Sequence, residues 1–431
     1  MANLLLQDPF SVLKEYPEKL THTFESPLHA VCVQFSPRGD YLAMGCSNGA
    51  VVVYDMDTSK PICMLGNKGG GHVRAIQSIA WSYCGRYVLT TSRDWYIKLW
   101  DLAQGGHIYR QYRFDSPVWN AKFIPNTKFQ CVATVFEEKR AFLLDFESDI
   151  PSLRVLIAKT EMESEDADGV DHGYTLVSCC HQKFTDILIT GTSKGWINMY
   201  RASQQNFELI YSTKIANSNV KHIIISQSGD KLAINSSDRT IRQYTLSIAE
   251  DYTNIQLDLE HKYQDVINKL QWNSIFFSSN SAEYLVASTH GSSAHDIYLW
   301  ETSTGTLVRV LEGPEEELLD IDWNFYSMCI ASNGLETGNV YVWSILIPPK
   351  WSALAPDFEE VEENIEYQEK EDEFDQVDQL EQQQELNEAE EVEIDLCTEE
   401  RYDVRGNDLT MPRFVIPINY EDILMLKELK E

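Results

Sequence analysis

The strongest constraint on this chain is a repeat. One aromatic or large apolar position recurs as Tyr54, Trp100, Leu144, Tyr200, Tyr244, Trp300 and Trp343, at spacings of 46, 44, 56, 44, 56 and 43 residues. Around each copy the apolar residues fall in short β-rich bursts bounded by turn residues, which is the pattern of strands. A period of about 40–45 residues is that of one four-stranded sheet, and such sheets bury their faces only by stacking on neighbours. Seven copies predict an all-β, seven-bladed ring. The two long intervals mark insertions, one holding Glu163-Ser164-Glu165-Asp166-Ala167-Asp168 and the other Ala249 to Tyr263. Both are read as long loops.

The best-preserved copy runs Gly71-His72, Ile79-Ala80-Trp81-Ser82, Cys84 to Ser92, Asp94, then Ile97-Lys98-Leu99-Trp100-Asp101. It resembles a WD40 repeat. In that family each blade carries a buried hydrogen-bonded tetrad, and the matching positions are His72, Ser92, Asp94 and Trp100. Polar groups are tolerated in a blade core only where they satisfy one another, so His72 is a structural residue and no metal ligand. The other repeats are degenerate. Asn48 replaces the turn Asp in the first, Asp238 keeps it in the fifth, and the third, around Phe142 to Asp145, rests mainly on spacing.

A ring needs a strand to pair the open edge of its last blade. After Trp343 the chain meets Pro348-Pro349, which cannot continue a ladder. The alternating stretch Leu20 to Glu25 is therefore expected to close the seventh blade from the other end. The expected organisation is an N-terminal arm at 1–27, a seven-bladed WD40 β-propeller at 28–346, and a long acidic, largely extended tail at 347–431.

Charge separates tail from platform. Of the net −32, residues 351–400 carry −20, with 21 acids against one lysine, while 401–431 carry only −1. Such a tail argues against salt-driven binding to DNA and suits basic pockets on protein partners. Lys221, Lys231, Arg239 and Arg242 in the fifth repeat read as a solvated surface before they read as a DNA contact. The nine cysteines form no CxxC, which signals neither zinc nor a disulfide framework and fits a reducing compartment. Met1 to Phe10 lacks the basic start and apolar run of a secretory signal, and no apolar stretch is long enough to span a membrane.

No constellation for chemistry emerges. Gly66-Asn67-Lys68-Gly69-Gly70-Gly71 is glycine-rich but precedes a strand, whereas a phosphate cradle needs a helix N-terminus. There is no HExxH, and no GxSxG turn presents a serine. The chain reads as non-catalytic, with no catalytic residue, metal, cofactor or small-molecule substrate.

The tail narrows the reading. Trp351-Ser352-Ala353-Leu354-Ala355-Pro356-Asp357-Phe358, followed by Glu363-Asn364-Ile365-Glu366-Tyr367-Gln368-Glu369-Lys370-Glu371-Asp372-Glu373-Phe374-Asp375, resembles the propeller subunit of COMPASS/Set1-type histone H3 lysine 4 methyltransferase complexes. Its animal counterpart is retinoblastoma-binding protein five. The resemblance implies a contact with the SET-domain catalytic subunit through Ala355, Pro356, Asp357 and Phe358 and the acids after them, stimulating methylation. Bottom-up, Phe358, Val361 and Ile365 fall on one stripe of a short helix that Pro356 would start.

The resemblance next implies docking of a SPRY-domain subunit on Glu366 to Asp378. There Tyr367 and Phe374 offer apolar anchors, and Glu369, Glu371, Asp372, Glu373 and Asp375 offer charge. A second WD40 propeller is implied on Val392, Glu393, Ile394, Asp395 and Leu396, whose apolar members share one face of an extended strand. Gln379 to Gln384 reads as a spacer. Phe414 to Leu429 is too apolar for idle chain, and is expected to dock either on this propeller or on a partner.

The function implied is a non-catalytic nuclear scaffold that meets the nucleosome through the assembled complex and has no membrane association. Rival readings are a histone-peptide reader using the central channel, a ubiquitin-ligase substrate receptor, and a hydrolase on a propeller scaffold.

Overall fold

The structure, a computed structural model, describes residues 16–345 apart from 68, 157–171, 203–206, 250–251, 253, 266–268, 279–280, 292–296 and 315, and also describes 410 and 414–429. Strand β1 is Lys19–Phe24. Blade 1 holds β2 to β5: Ala30–Phe35, Tyr41–Cys46, Val51–Asp55 and Lys60–Leu65. Blade 2 holds β6 to β9: Ile76–Trp81, Tyr87–Ser92, Tyr96–Asp101 and His107–Arg113. Blade 3 holds β10 to β13: Val118–Phe123, Gln130–Val135, Phe142–Asp145 and Ser152–Val155. Blade 4 holds β14 to β17: Thr175–Cys180, Ile187–Thr192, Trp196–Ala202 and Phe207–Lys214. Blade 5 holds β18 to β21: Val220–Ile225, Lys231–Ser236, Ile241–Ile248 and Ile255–Tyr263. Blade 6 holds β22 to β25: Gln271–Phe277, Tyr284–His290, Ile297–Glu301 and Leu307–Leu311. Blade 7 holds β26 to β28: Leu318–Asn324, Cys329–Gly334 and Val340–Ser344.

Each blade is a four-stranded antiparallel sheet, and the seventh is completed by β1, which pairs β28 from Lys19↔Ser344 to Phe24↔Val340. The first strands of successive blades touch in order, and β26 returns to β2, so the inner strands form a closed circle. One hydrophobic cluster fills each junction between blades. The cluster between blades 7 and 1, for example, joins Phe24, Val340 and Val342 to Met44, Val52 and Tyr54.

The recurring aromatic position has a local cause. The register between third and fourth strands breaks beside Tyr54, Trp100, Tyr200, Tyr244 and Trp300. A bulge there bends the outer strand and increases its twist. In blade 7 the irregularity lies between Leu20 and His22, opposite Trp343 and Val342.

The blade 2 tetrad differs from the sequence reading in one member. The Nδ1 of His72 lies 2.9 Å from Asp94 Oδ2, and its Nε2 lies 2.8 Å from the Thr90 hydroxyl. The Trp100 Nε1 donates to that same Thr90 oxygen at 2.8 Å. Thr90, not Ser92, is therefore the central hydroxyl. Ser92 sits two residues further along β7, about 6–7 Å away. It donates instead to the Arg74 carbonyl at 2.9 Å. Burial lowers the pKa of His72, which keeps the ring neutral, so Nδ1–H donates to Asp94 and Nε2 accepts from Thr90. Thr90→Val should leave the His72 and Trp100 nitrogens without their partner. We expect a loss of about 1–3 kcal/mol, read by chemical denaturation.

Degenerate blades replace the tetrad with networks of their own. In blade 4, His172 stacks on Trp196 at 4.4 Å, and Asn198 Oδ1 lies 3.2 Å from its Nδ1 and accepts from Ser212 at 2.7 Å. In blade 5, Tyr263 donates to Gln243 at 2.6 Å, and Gln243 donates to Glu260 at 2.7 Å. In blade 7, Glu316 accepts from the backbone N–H groups of Glu336 and Thr337 at 2.9 and 3.0 Å and from the Thr337 hydroxyl at 2.6 Å. It also accepts from the Tyr341 hydroxyl.

One insertion is not a loop. Much of Ala249 to Tyr263 is β21, a nine-residue strand paired with the eight-residue β20. The alternation of Ile255, Leu257 and Leu259 marks that strand, and longer strands account for much of the added length. The acidic run Glu163 to Asp168 lies outside the described residues.

Candidate partner-docking surface

The tail segment 414–429 docks on the propeller itself. Residues 414–419, without regular secondary structure, lead into helix α1, Tyr420–Glu428. Glu421 and Asp422 occupy its first turn, where negative charge favours the positive end of a helix. Phe414 and Ile416 pack on the core between blades 1 and 2, and Ile416 N–H donates to the Tyr41 hydroxyl at 3.3 Å. Further along, Asn419 N–H donates to the Ile62 carbonyl at 2.9 Å.

Asp422 is the keyed contact. It is 1% exposed. It accepts from Met64 N–H and from the Asn67 side chain, each at 3.0 Å, and from the Asn419 side chain at 2.7 Å. One turn later Leu426 is buried in the cluster between blades 7 and 1. Sequence reasoning expected the run Phe414 to Leu429 to dock, yet within it Leu424 and Leu429 are 60% and 52% exposed. It missed Asp422. An acid within an apolar run gives no hint of partners some 355 residues away.

The middle of the ring holds cavities lined by both polar and apolar side chains. One of about 430 Å³ is lined from all seven blades, including Gln34, Trp81, Phe123, Gln182, Gln227, Phe276 and Asp322. A second, of about 340 Å³, holds Lys122, Lys221, His222 and Asp320. The titratable groups here are largely spent on structure. Asp320 accepts from Val33 N–H at 3.4 Å and Ser274 at 3.1 Å, and Asp322 accepts from Phe35 N–H at 2.5 Å. Both carboxyl groups thus accept from the inner edge of β2. Burial raises the pKa of each, that of Asp322 to about 8. Burial pushes His222 down to about 3, so it is neutral and accepts from Ile275 N–H at 3.4 Å. Among the described residues, no group of three or more His, Cys, Asp or Glu is placed to hold a metal ion.

The basic residues of the fifth repeat are mostly engaged. Lys221 donates to the Trp272 carbonyl at 3.3 Å, Lys231 to Thr302 at 2.9 Å, and Arg242 pairs with Asp238 at 2.5 Å. The SET-contact set (Ala355, Pro356, Asp357, Phe358, Val361, Ile365) lies outside the described residues. So do the SPRY-docking set from Glu366 to Asp375 and the second-propeller set from Val392 to Leu396.

The WD domain, G-beta repeat model matches residues 18–55 and 64–101, the first two copies of the repeat. COMPASS component SWD1 of Saccharomyces cerevisiae is 61% identical over 426 residues, covering 99% of both chains. The chain belongs to the SWD1 family of COMPASS components. The Set1 complex component swd1 of Schizosaccharomyces pombe is 42% identical over 85% of this chain and 88% of its own. The retinoblastoma-binding protein 5 homolog of Drosophila melanogaster is 31% identical over 85% of this chain and 70% of its own. Among solved structures, the β-propeller domain of Myceliophteria thermophila Cps50 (Swd1) superposes with a TM-score of 0.69 at 37% identity, covering 77% of this chain and all of that one. The propeller is thus shared with a solved Swd1 domain, and the alignment with the yeast protein runs through the acidic tail as well.

Proposed function

We propose that this chain is the non-catalytic scaffold of a nuclear COMPASS/Set1-type complex that methylates lysine 4 of histone H3. The observation that carries this reading is the reach of the likeness. The alignment, at 61% identity, spans 99% of both chains, so it runs through the tail as well as the ring. The propeller is a rigid platform, and the tail presents its motifs in series. The stretch from Ala355 to Ile365 meets the SET-domain subunit, Glu366 to Asp375 the SPRY-domain subunit, and Val392 to Leu396 a second WD40 propeller. Several modest contacts on one chain raise one another's effective concentration. The nucleosome is reached through the assembly, and the scaffold needs no cofactor of its own.

The test is native purification of the tagged chain with mass spectrometry of its companions. Recovery of a SET protein, a SPRY protein and a second propeller supports the reading. Recovery of a cullin-type ligase instead would sink it. A finer test reverses Glu369, Glu371 and Glu373 to Lys. Affinity for the SPRY-domain subunit should fall roughly ten-fold or more, and rising salt should weaken the wild-type contact. Unchanged binding in calorimetry would reduce that segment to a spacer.

A further inference from the structure

We propose that residues 414–429 are a clasp that locks the propeller at its closure joint. The other six blades are built from strands consecutive in sequence, whereas the seventh borrows β1. That strand is a light anchor. Of its six residues only Phe24 is buried, and its pairing with β28 breaks register between Leu20 and His22. Backbone bonds and the Thr21 hydroxyl, which donates to the Val342 carbonyl at 3.1 Å, hold the rest.

The clasp reinforces this joint from the neighbouring blade. β5 is the outer strand of blade 1, so among the described residues no further strand pairs its second edge. Ile62 and Met64 alternate along that edge. The carbonyl of Ile62 takes the Asn419 N–H, and the N–H of Met64 meets the Asp422 carboxylate. An open edge is thereby satisfied without adding a strand. Helix α1 then carries Leu426 into the cluster that holds Phe24 of β1, Val340 and Val342 of β28, and Met44, Val52 and Met64 of blade 1. The C-terminal segment thus touches the core that the N-terminal strand depends on. Release of the clasp and opening of β1 are coupled events.

Hydrogen exchange on the full chain tests this. In Asp422→Ala and Leu426→Asp, amides of Thr21 to Phe24 should exchange faster by roughly ten- to a hundred-fold, the factor expected for one lost charge-assisted bond. Ile187 to Thr192 in blade 4 should keep wild-type protection. Leu424→Asp, on the outward face of α1, should change neither region. Asn67→Ala, a milder change that removes one donor to Asp422, should shift β1 in the same direction by less. Faster exchange at Ile62 to Met64 with β1 unchanged would overturn the proposal and leave a local cover. Equal acceleration in blades 4 and 7 would overturn it too, since that is general destabilisation.

Discussion

Phe358→Ala is expected to lower methyl transfer by the reconstituted complex roughly 5–150-fold, the span of a ~1–3 kcal/mol coupling between a contact and an active state. The subunit itself should stay in the assembly. On the proposed division of the tail, the anchors at Glu366 to Asp375 and Val392 to Leu396 lie downstream and are untouched. By their spacing Phe358, Val361 and Ile365 would share one stripe of a short helix, and Pro356 and Asp357 would suit its start. Such a stripe acts on catalysis only by binding the active arrangement of the enzyme better than the inactive one. The measurement is a methylation rate on histone H3 peptide beside a pull-down of all subunits. Full activity in the variant would refute the role. Loss of activity that follows loss of assembly would refute it as well.

How legible this protein was depends on the range of the interactions. The ring was readable because each blade repeats one local pattern, and the aromatic at Tyr54, Trp100 or Trp300 marks a bulge that recurs with it. Ser92 was mistaken for Thr90 because two hydroxyls on one face of β7 differ only by position along the strand. The strand geometry decides between them: Thr90 alone reaches both His72 and Trp100. Blade 7 shows the opposite limit. Its polar core is a glutamate bonded to residues 20 to 25 positions later, and no family pattern points to Glu316. The clasp was half visible. An apolar run announces that something is buried, but the partners of Asp422 are Met64 and Asn67, and nothing local encodes such a pairing.

Glu316 carries the second large effect. Glu316→Ala should destabilise the propeller by about 3 kcal/mol, since hydrogen bonds to a charged acceptor contribute about 1.5–3 kcal/mol each and do not add fully. The side chain is only 6% exposed, so water cannot easily replace the lost acceptor. Its donors are the backbone of Glu336 and Thr337 in the turn between β27 and β28 and the hydroxyls of Thr337 and Tyr341. That turn sets up the strand on which β1 closes the ring, so the loss falls at the joint. The pH dependence has a definite sign. Burial alone would raise the carboxyl, but bonds from Thr337, Tyr341 and the backbone outweigh it and hold its pKa below the ordinary 4.5. A depressed carboxyl contributes stability that is present above the unfolded value and is lost as pH falls through the folded one. The stability gap between wild type and Glu316→Gln, measured by chemical denaturation, should therefore be full at pH 7 and shrink below about pH 4.5. A gap that stays constant to pH 3.5 would mean that the carboxylate charge is not what holds the turn, and that the neutral amide fails for reasons of shape.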